Sequence, residues 1–384
     1  MSYNINATTR SLYIHWPFCP YKCHFCPFVA IASHDQFMER YHHALMKEIE
    51  LFAKNCPSKL ALDTIFLGGG TPSTWPDNLL LDTFGRLRDM FAIGEHTEVT
   101  IEVNPGTVRH EQLVLWKSLG INRLSIGVQS LKDSVLNNLN RKQSSKDVFW
   151  VVQEASALYP NVSIDLILGL PGVSEQEWKG LLSTIVTWPI VHVSIYFLTV
   201  HEETPLYFRV KKQEIDLIAD DAMVELYQWS IEFLEQHGLM QYEISNFAKE
   251  GYQSKHNSVY WERKPYKGLG LGACSFDGTS RFQNQKNLMT YIGDIEQGKD
   301  VTIFAETLNE KQAFLEWVML GLRRAQGIST HELMKELTQE QQHTMNETIQ
   351  MLHNHNFLRK QEDRIVLTAA GLAVQNDIAA RLSL

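Results

Sequence analysis

Cysteine is scarce in this chain, with five among 384 residues. Two of them, Cys56 and Cys274, stand far apart. That spacing excludes the disulfide framework of a small secreted domain, and a reducing, cytoplasmic setting is expected. No run of about eighteen apolar residues occurs, and the first ten residues have no signal-peptide core, so neither stable membrane insertion nor export is expected. Positive charge is also short. Lys+Arg number 35 against 44 Asp+Glu, and the net charge of −9 argues against broad binding to nucleic acid or anionic membranes. There is no internal repeat and no low-complexity linker. What remains is a chain long enough to bury one large core and a smaller second domain.

The other three cysteines are concentrated in Cys19-Pro20-Tyr21-Lys22-Cys23-His24-Phe25-Cys26. Thiols at C-x3-C-x2-C spacing on one loop can each hold one iron of a 4Fe–4S cubane, and no fourth cysteine follows nearby. One iron is then left open. S-adenosylmethionine needs that arrangement: its amino and carboxylate groups close the open iron, and the cluster passes an electron into the sulfonium. The competing reading is a zinc site with His15 or His24 as fourth ligand, although zinc sites usually split their ligands into two pairs.

Short apolar runs at 12–16, 64–67, 99–103, 123–128, 162–168 and 191–197 alternate with longer amphipathic stretches. In 36–54, for instance, Phe37, Tyr41, Leu45, Ile49 and Phe52 recur at helical spacing. The repetition predicts an α/β fold, a parallel sheet with helices outside. Six units fall short of the eight of a closed barrel, so a partial (β/α)6 TIM-type barrel is expected. The barrel domain is assigned to 1–235 with the cysteine loop, and a mainly helical C-terminal domain to 236–384. The latter has helices over 310–325, 329–337 and 339–355, a short hairpin at Ile365-Val366-Leu367 and a closing helix, and so resembles a winged-helix unit. It carries no basic recognition stripe, so a packing role is expected rather than DNA binding.

Special residues crowd the strand ends. The cysteine loop follows the first run, Gly68-Gly69-Gly70-Thr71-Pro72 the second, and Glu102 with Asn104-Pro105 closes the third. Gln129-Ser130 follows the fourth, Asp165 and Gly169-Leu170-Pro171-Gly172 end the fifth, and Tyr196 lies near the end of the sixth. Parallel α/β sheets place their ligand sites at these carboxyl ends. Gly69, Gly70 and Thr71 would let a ligand approach the backbone closely. Glu102, Gln129 and Asp165 are polar groups at the ends of apolar strands, to be satisfied by ribose hydroxyls and a ligand amine or else by Arg123 or Arg141. His256, among Asn, Tyr and Trp, could ligate heme iron through its imidazole. On composition alone the ordinary reading of that residue is favoured, since the chain has 15 histidines. His34, His42 and His43 read as a solvated helix face.

In order along the chain, Leu12-Tyr13-Ile14-His15-Trp16-Pro17-Phe18-Cys19, the three-cysteine loop, Gly68 to Ser73 and Glu102-Val103-Asn104-Pro105-Gly106 resemble the anaerobic coproporphyrinogen III oxidase family of radical S-adenosylmethionine proteins. The resemblance continues through Asn122 to Ser130, Asp165 to Gly172 and His256-Asn257-Ser258-Val259-Tyr260-Trp261, and is strongest to the family's HemW-like heme chaperones. It implies cluster binding by Cys19, Cys23 and Cys26. It also implies S-adenosylmethionine contacts from Tyr13, Phe25, Gly69, Gly70, Thr71, Glu102, Gln129, Arg141 and Asp165. His256 becomes a candidate heme ligand through the HNxxYW element. The implied partners are heme, an acceptor hemoprotein and a small electron-transfer protein.

Whether the chain is a carrier or an oxygen-independent coproporphyrinogen III dehydrogenase turns on details. The oxidases have a further cysteine two residues after the third, where this chain has Phe28, and a long N-terminal extension, where only twelve residues precede Tyr13. Both features resemble the carrier. Asn140-Arg141-Lys142-Gln143 resembles the oxidase version of its segment instead. Cys274 stands where chaperones usually have histidine, and Pro27 replaces the customary aspartate.

Overall fold

The computed structural model describes residues 9–335 and 337–383. They form two compact units that interleave along the chain: residues up to 218 with 265–306, and 219–264 with 307–383. The boundary expected at 235/236 falls inside the Asp220–Gln236 helix of the second unit.

The first unit is built on seven parallel strands: β1 (Ser11–Trp16), β2 (Ala61–Gly69), β3 (Ala92–Val103), β4 (Arg123–Gln129), β5 (Val162–Leu168), β6 (His192–Phe197) and β7 (Lys267–Leu269). Their order is β7-β1-β2-β3-β4-β5-β6, the sequential order of a partial (β/α) barrel. The helices between them include α1 (Met38–Lys54), α2 (Asp77–Met90), α3 (His110–Ser118), α4 (Asp133–Asn138), α5 (Ser145–Leu158) and α6 (Glu175–Ile185). Sequence chemistry sets their starts. Ser144 and Ser174 accept from the backbone of Asp147 and Glu177, whose carboxylates answer the cap, so α5 and α6 each begin at a capping box.

The strands have two faces of different character. Leu12, Ile14 and Trp16 of β1, Ile101 of β3, Leu124 and Ile126 of β4, and Ile164 of β5 are fully buried apolar positions, packed between sheet and helices. The alternate positions are polar. Ser125 on β4 reaches the Asp165 carboxylate of β5 at 3.0 Å, and Ser163 on β5 reaches His192 Nδ1 of β6 at 2.7 Å. The barrel interior is therefore polar where the outer layer is oily.

The seventh strand comes from the glycine-rich Gly268-Leu269-Gly270-Leu271-Gly272 segment, which lies in the 236–384 range expected to belong to the C-terminal domain and here belongs to the first unit. A methyl group on Gly268 would lie 2.1 Å from the Cys274 carbonyl, so only glycine lets β7 and the Cys274–Phe276 strand approach. Glu48 of α1 clips this late segment to the barrel. It accepts from Gly270 N at 2.8 Å, Asn284 Nδ2 at 2.8 Å and the Tyr291 hydroxyl at 2.6 Å. Burial pushes its carboxyl up, against the nearby Lys267 charge and these bonds. One histidine of α1 needs a correction, while His43 is exposed as expected. His42, expected on a solvated face, is 1% exposed with Nε2 2.8 Å from Asp82, because it lies on the side of α1 that packs toward α2.

The second unit joins its two segments through Ile244 N to Arg323 O (2.8 Å), Ala325 N to Tyr242 O (3.0 Å) and an Arg263–Glu316 ion pair at 2.6 Å. Its core gathers Val318, Leu322, Met345, Ile349, Leu352, Leu358, Ile365 and Ile378. The helices Glu310–Leu322, Thr330–Met334 and Gln339–Asn354 pack with a three-stranded sheet of Ile328–Ser329, Arg364–Leu367 and Leu358–Gln361, a winged-helix-like arrangement. Among the described residues no helix is long and apolar enough to cross a membrane.

Candidate cofactor site

The cysteine loop leaves β1 and returns alongside itself, with Phe18 and Cys19 paired to Ile31 and Ala32. His15 holds the return limb. Its Nε2 lies 2.8 Å from the Val29 carbonyl and its Nδ1 3.0 Å from the Tyr13 hydroxyl. Burial pushes this imidazole down to about 4, so it is neutral at ordinary pH and one ring nitrogen donates while the other accepts. With both nitrogens engaged, His15 fits the role of a brace and not that of a zinc ligand. The loop is also tied to α4, through His24 N to Leu139 O (2.9 Å) and Asn140 Nδ2 to Lys22 O (2.8 Å).

A cavity of about 340 Å³ opens over the carboxyl ends of the strands. Cys19, Cys23, Cys26, Phe25, Gly69, Gly70, Thr71, Glu102, Gln129, Arg141 and Asp165 all line it. Among the described residues no group of three or more His, Cys, Asp or Glu side chains converges to hold a single metal ion. Three thiols that each serve a separate iron have no need to meet at one point, whereas zinc ligands do.

Local geometry explains how each group reaches the cavity. Gly69 has φ +124°, and a methyl on Gly70 would stand 2.5 Å from the Pro17 carbonyl, so this turn lies flat against the loop after β1. Thr71 Oγ1 is 3.0 Å from Cys19 Sγ. Burial pushes the Cys19 thiol up to about 11, with the Thr71 bond opposing and the two neighbouring cysteines adding to the rise. Iron held there would reverse that preference, since a coordinating thiol is deprotonated outright. Gln129 sits at a bulge where the register with β5 shifts, with φ +65°, and its side-chain oxygen is buried without a partner. Bulges re-aim side chains beside active sites.

Arg141 donates to the Gly127 carbonyl (2.7 Å) and to Gln143 (2.9 Å), with Nη1 3.8 Å from Cys23 Sγ. A methyl on Gly127 would lie 2.7 Å from this guanidinium, so glycine makes room for it. Glu102 accepts from Gly69 N at 3.1 Å. Its carboxyl is pushed up to about 8, first by burial and then by the charge of Asp165. Burial also raises Asp165, against its serine hydrogen bonds and the two arginines. Neither carboxylate is hydrogen bonded to Arg123 or Arg141 among the described residues.

Two candidates are not among the residues that line the cavity. Tyr13 is turned against Gly68, whose added methyl would meet its ring at 2.7 Å, and does not line the cavity. His256, in the second unit, is 1% exposed, and its Nε2 lies 2.8 Å from the Tyr260 hydroxyl.

Residues 13–185 match the radical SAM superfamily, and residues 308–374 match the HemN C-terminal domain. The solved structure of coproporphyrinogen III oxidase (HemN) from Escherichia coli, a radical SAM enzyme, superposes with a TM-score of 0.83. It covers 98% of this chain and 92% of that one at 23% identity, and so shows a shared fold. A protein named heme chaperone HemW, from Bacillus subtilis (strain 168), is 32% identical across 96% of this chain and 98% of its own. The chain belongs to the HemW-like family of radical SAM proteins. A zebrafish relative, the mitochondrial radical S-adenosyl methionine domain-containing protein 1 of Danio rerio, is 32% identical over 85% of this chain and 75% of its own.

A radical SAM protein implies a 4Fe–4S cluster and S-adenosylmethionine, and the donor set fits both: three thiols on one loop, a glycine cradle and an orphaned amide oxygen at the cavity wall. Sequence reading of this HemW-like chain passed over Ser125 and Tyr21. Ser125 shares a strand face with Gly127 and Gln129, a period-two signal that was available. Tyr21 lines the cavity and accepts from Asn104 Nδ2 at 2.8 Å, a contact between distant segments that no local pattern encodes.

Proposed function

We propose that this chain is a heme chaperone of the HemW type. Cys19, Cys23 and Cys26 hold a 4Fe–4S cluster, the cavity over the strand ends holds S-adenosylmethionine, and heme is bound and passed to an acceptor hemoprotein. In the nucleotide site Glu102 and Asp165 take ribose hydroxyls and the ligand amine, Gln129 supplies its unpartnered oxygen, and the turn at Gly69–Thr71 receives the ligand against backbone. Bound to a reduced cluster, S-adenosylmethionine supplies one-electron cleavage chemistry. His256 is the proposed heme ligand, and its imidazole would exchange the Tyr260 hydroxyl for iron.

The full-length similarity to proteins named heme chaperones carries this reading. It is supported at the site by Phe28, 65% exposed on the cavity lining, where the oxidases have a further cysteine. The second reading, coproporphyrinogen III decarboxylation, is favoured by the oxidase-like Asn140 to Gln143 segment, whose Asn140 and Arg141 both contact the cysteine loop. One anaerobic experiment separates them. Reconstituted protein is incubated with S-adenosylmethionine, a low-potential reductant and coproporphyrinogen III, and in parallel loaded with heme and mixed with an apo-hemoprotein. Intact porphyrinogen with heme transfer supports the carrier. Decarboxylated product without transfer refutes it.

A further inference from the structure

Beneath the cavity lies a layer of polar side chains that the proposed function does not use. Cα pairing sets Thr100 beside Arg123, Ser125 beside Ser163, and Ser163 beside His192; one step nearer the cavity it sets Glu102 beside Ser125, and Asp165 between Gly127 and Ser194. Arg123 is the outlier in this layer. It is 1% exposed, and its Nε and Nη1 have no hydrogen-bond partner. A guanidinium so placed is costly unless its charge is compensated at short range. Its charge acts on both cavity carboxylates, favouring their ionised forms, and disfavours the charged form of His192. With His192 buried neutral, the positive charge acting on Glu102 comes from Arg123, while Asp165 feels both Arg123 and the cavity-wall Arg141.

We propose that Arg123 is a positioning residue for the S-adenosylmethionine site, a buried counter-charge acting through Glu102 and Asp165. The proposal rests on the cofactor reading above. The guanidinium is kept off both carboxylates, so their oxygens remain open to the ligand while their negative charge is still compensated. A direct ion pair would have consumed those acceptors. The other titratable and charged groups around the pair are Arg141, which acts on Asp165, and Tyr21, Lys22, Tyr196, His201 and the three cysteines on the cavity lining, with His192 in the layer below beside Ser163. All of them are common to wild type and variants, so a difference between pH profiles isolates Arg123.

The test measures S-adenosylmethionine affinity of the cluster-reconstituted protein by equilibrium dialysis from pH 6 to 9.5. Ionised carboxylates accept hydrogen bonds better, so affinity rises with pH. Removing the counter-charge in Arg123→Met raises the carboxyl pKa values and moves the midpoint of that rise upward by about one pH unit. Affinity then falls about tenfold at pH 7 and recovers to within about threefold at pH 9.5. Arg123→Lys keeps the charge and is expected to keep the wild-type midpoint. A profile for Arg123→Met parallel to wild type overturns the inference. If that variant does not fold, a raised midpoint in Arg123→Lys overturns it on its own. Absence of binding by the cluster-loaded wild type overturns the cofactor reading itself, and this inference with it.

Discussion

Replacing Glu102 by glutamine should make the ligand-free protein more stable and the liganded one harder to form. The carboxyl has an ordinary value of 4.5 and is pushed up to about 8. Below about pH 4 it is protonated in folded and unfolded chains alike and costs nothing. As pH rises through 4.5 the unfolded chain releases the proton while the folded one retains it. Stability therefore falls with pH until the folded group also ionises near 8, and stays low above that. At about 1.4 kcal/mol for each tenfold change in proton affinity, the full cost is bounded at roughly 4 to 5 kcal/mol. Relaxation and water entry, which raise the effective dielectric, reduce this to roughly 2 kcal/mol. Glutamine carries no charge at any pH, and its amide oxygen can keep the bond from Gly69 N, which Glu102 makes at 3.1 Å. Urea unfolding of wild type and Glu102→Gln, followed by tryptophan fluorescence at pH 5 and pH 8.5, reads the difference. The variant should gain on wild type as pH rises and lead by roughly 2 kcal/mol at pH 8.5. Its S-adenosylmethionine affinity should fall at least about tenfold, the trade expected where an uncomfortable group is kept for function. A stability gap that is constant or shrinks with pH would refute the account of Glu102 as a buried, reluctant acid.

Cys23→Ala should abolish the visible absorbance of the reconstituted cluster; unchanged iron and sulfide content would sink the metal assignment. Gly70→Ala forces a methyl to within 2.5 Å of the Pro17 carbonyl, and backbone cannot yield cheaply. The turn should shift and S-adenosylmethionine affinity should drop about tenfold while the fold, read by circular dichroism, persists. Tyr291→Phe leaves the buried Glu48 carboxyl short of one donor and should cost about 1 to 3 kcal/mol in unfolding free energy; a change below about 0.5 kcal/mol would show the Glu48 clip to be unimportant. His256→Ala should alter the Soret band of the heme complex, and an identical spectrum and affinity would return that histidine to an ordinary packing role.

Much of the cavity lining of the candidate site was legible because its residues come in short ordered groups. The cysteine spacing, the glycine turn after β2 and the polar residues ending β3, β4 and β5 each follow a recognisable apolar run, and strand alternation carries them to one end of the sheet. Tyr13, assigned to the same site by resemblance, lies against Gly68 beside the glycine turn and bonds His15. Its neighbours in space come from β2, which local sequence does not reveal. His42 was misread because helical periodicity places it on a face but does not say that α2 covers that face with Asp82.

Taken alone, the sequence determined the parallel α/β class, the three-cysteine loop and the end of the sheet where the candidate site would sit, since these depend on periodicities of two and 3.6 residues and on local spacing. Only the tertiary structure decided that residues 267–269 supply a seventh strand, that 265–306 return to the first unit through Glu48, and that Arg123 is buried with its Nε and Nη1 unpartnered while its charge acts on Glu102 and Asp165. Those features depend on which distant segments meet. Contact at long sequence separation is set by the packing free energy of the whole core, a sum over many weak terms that no single stretch of residues contains.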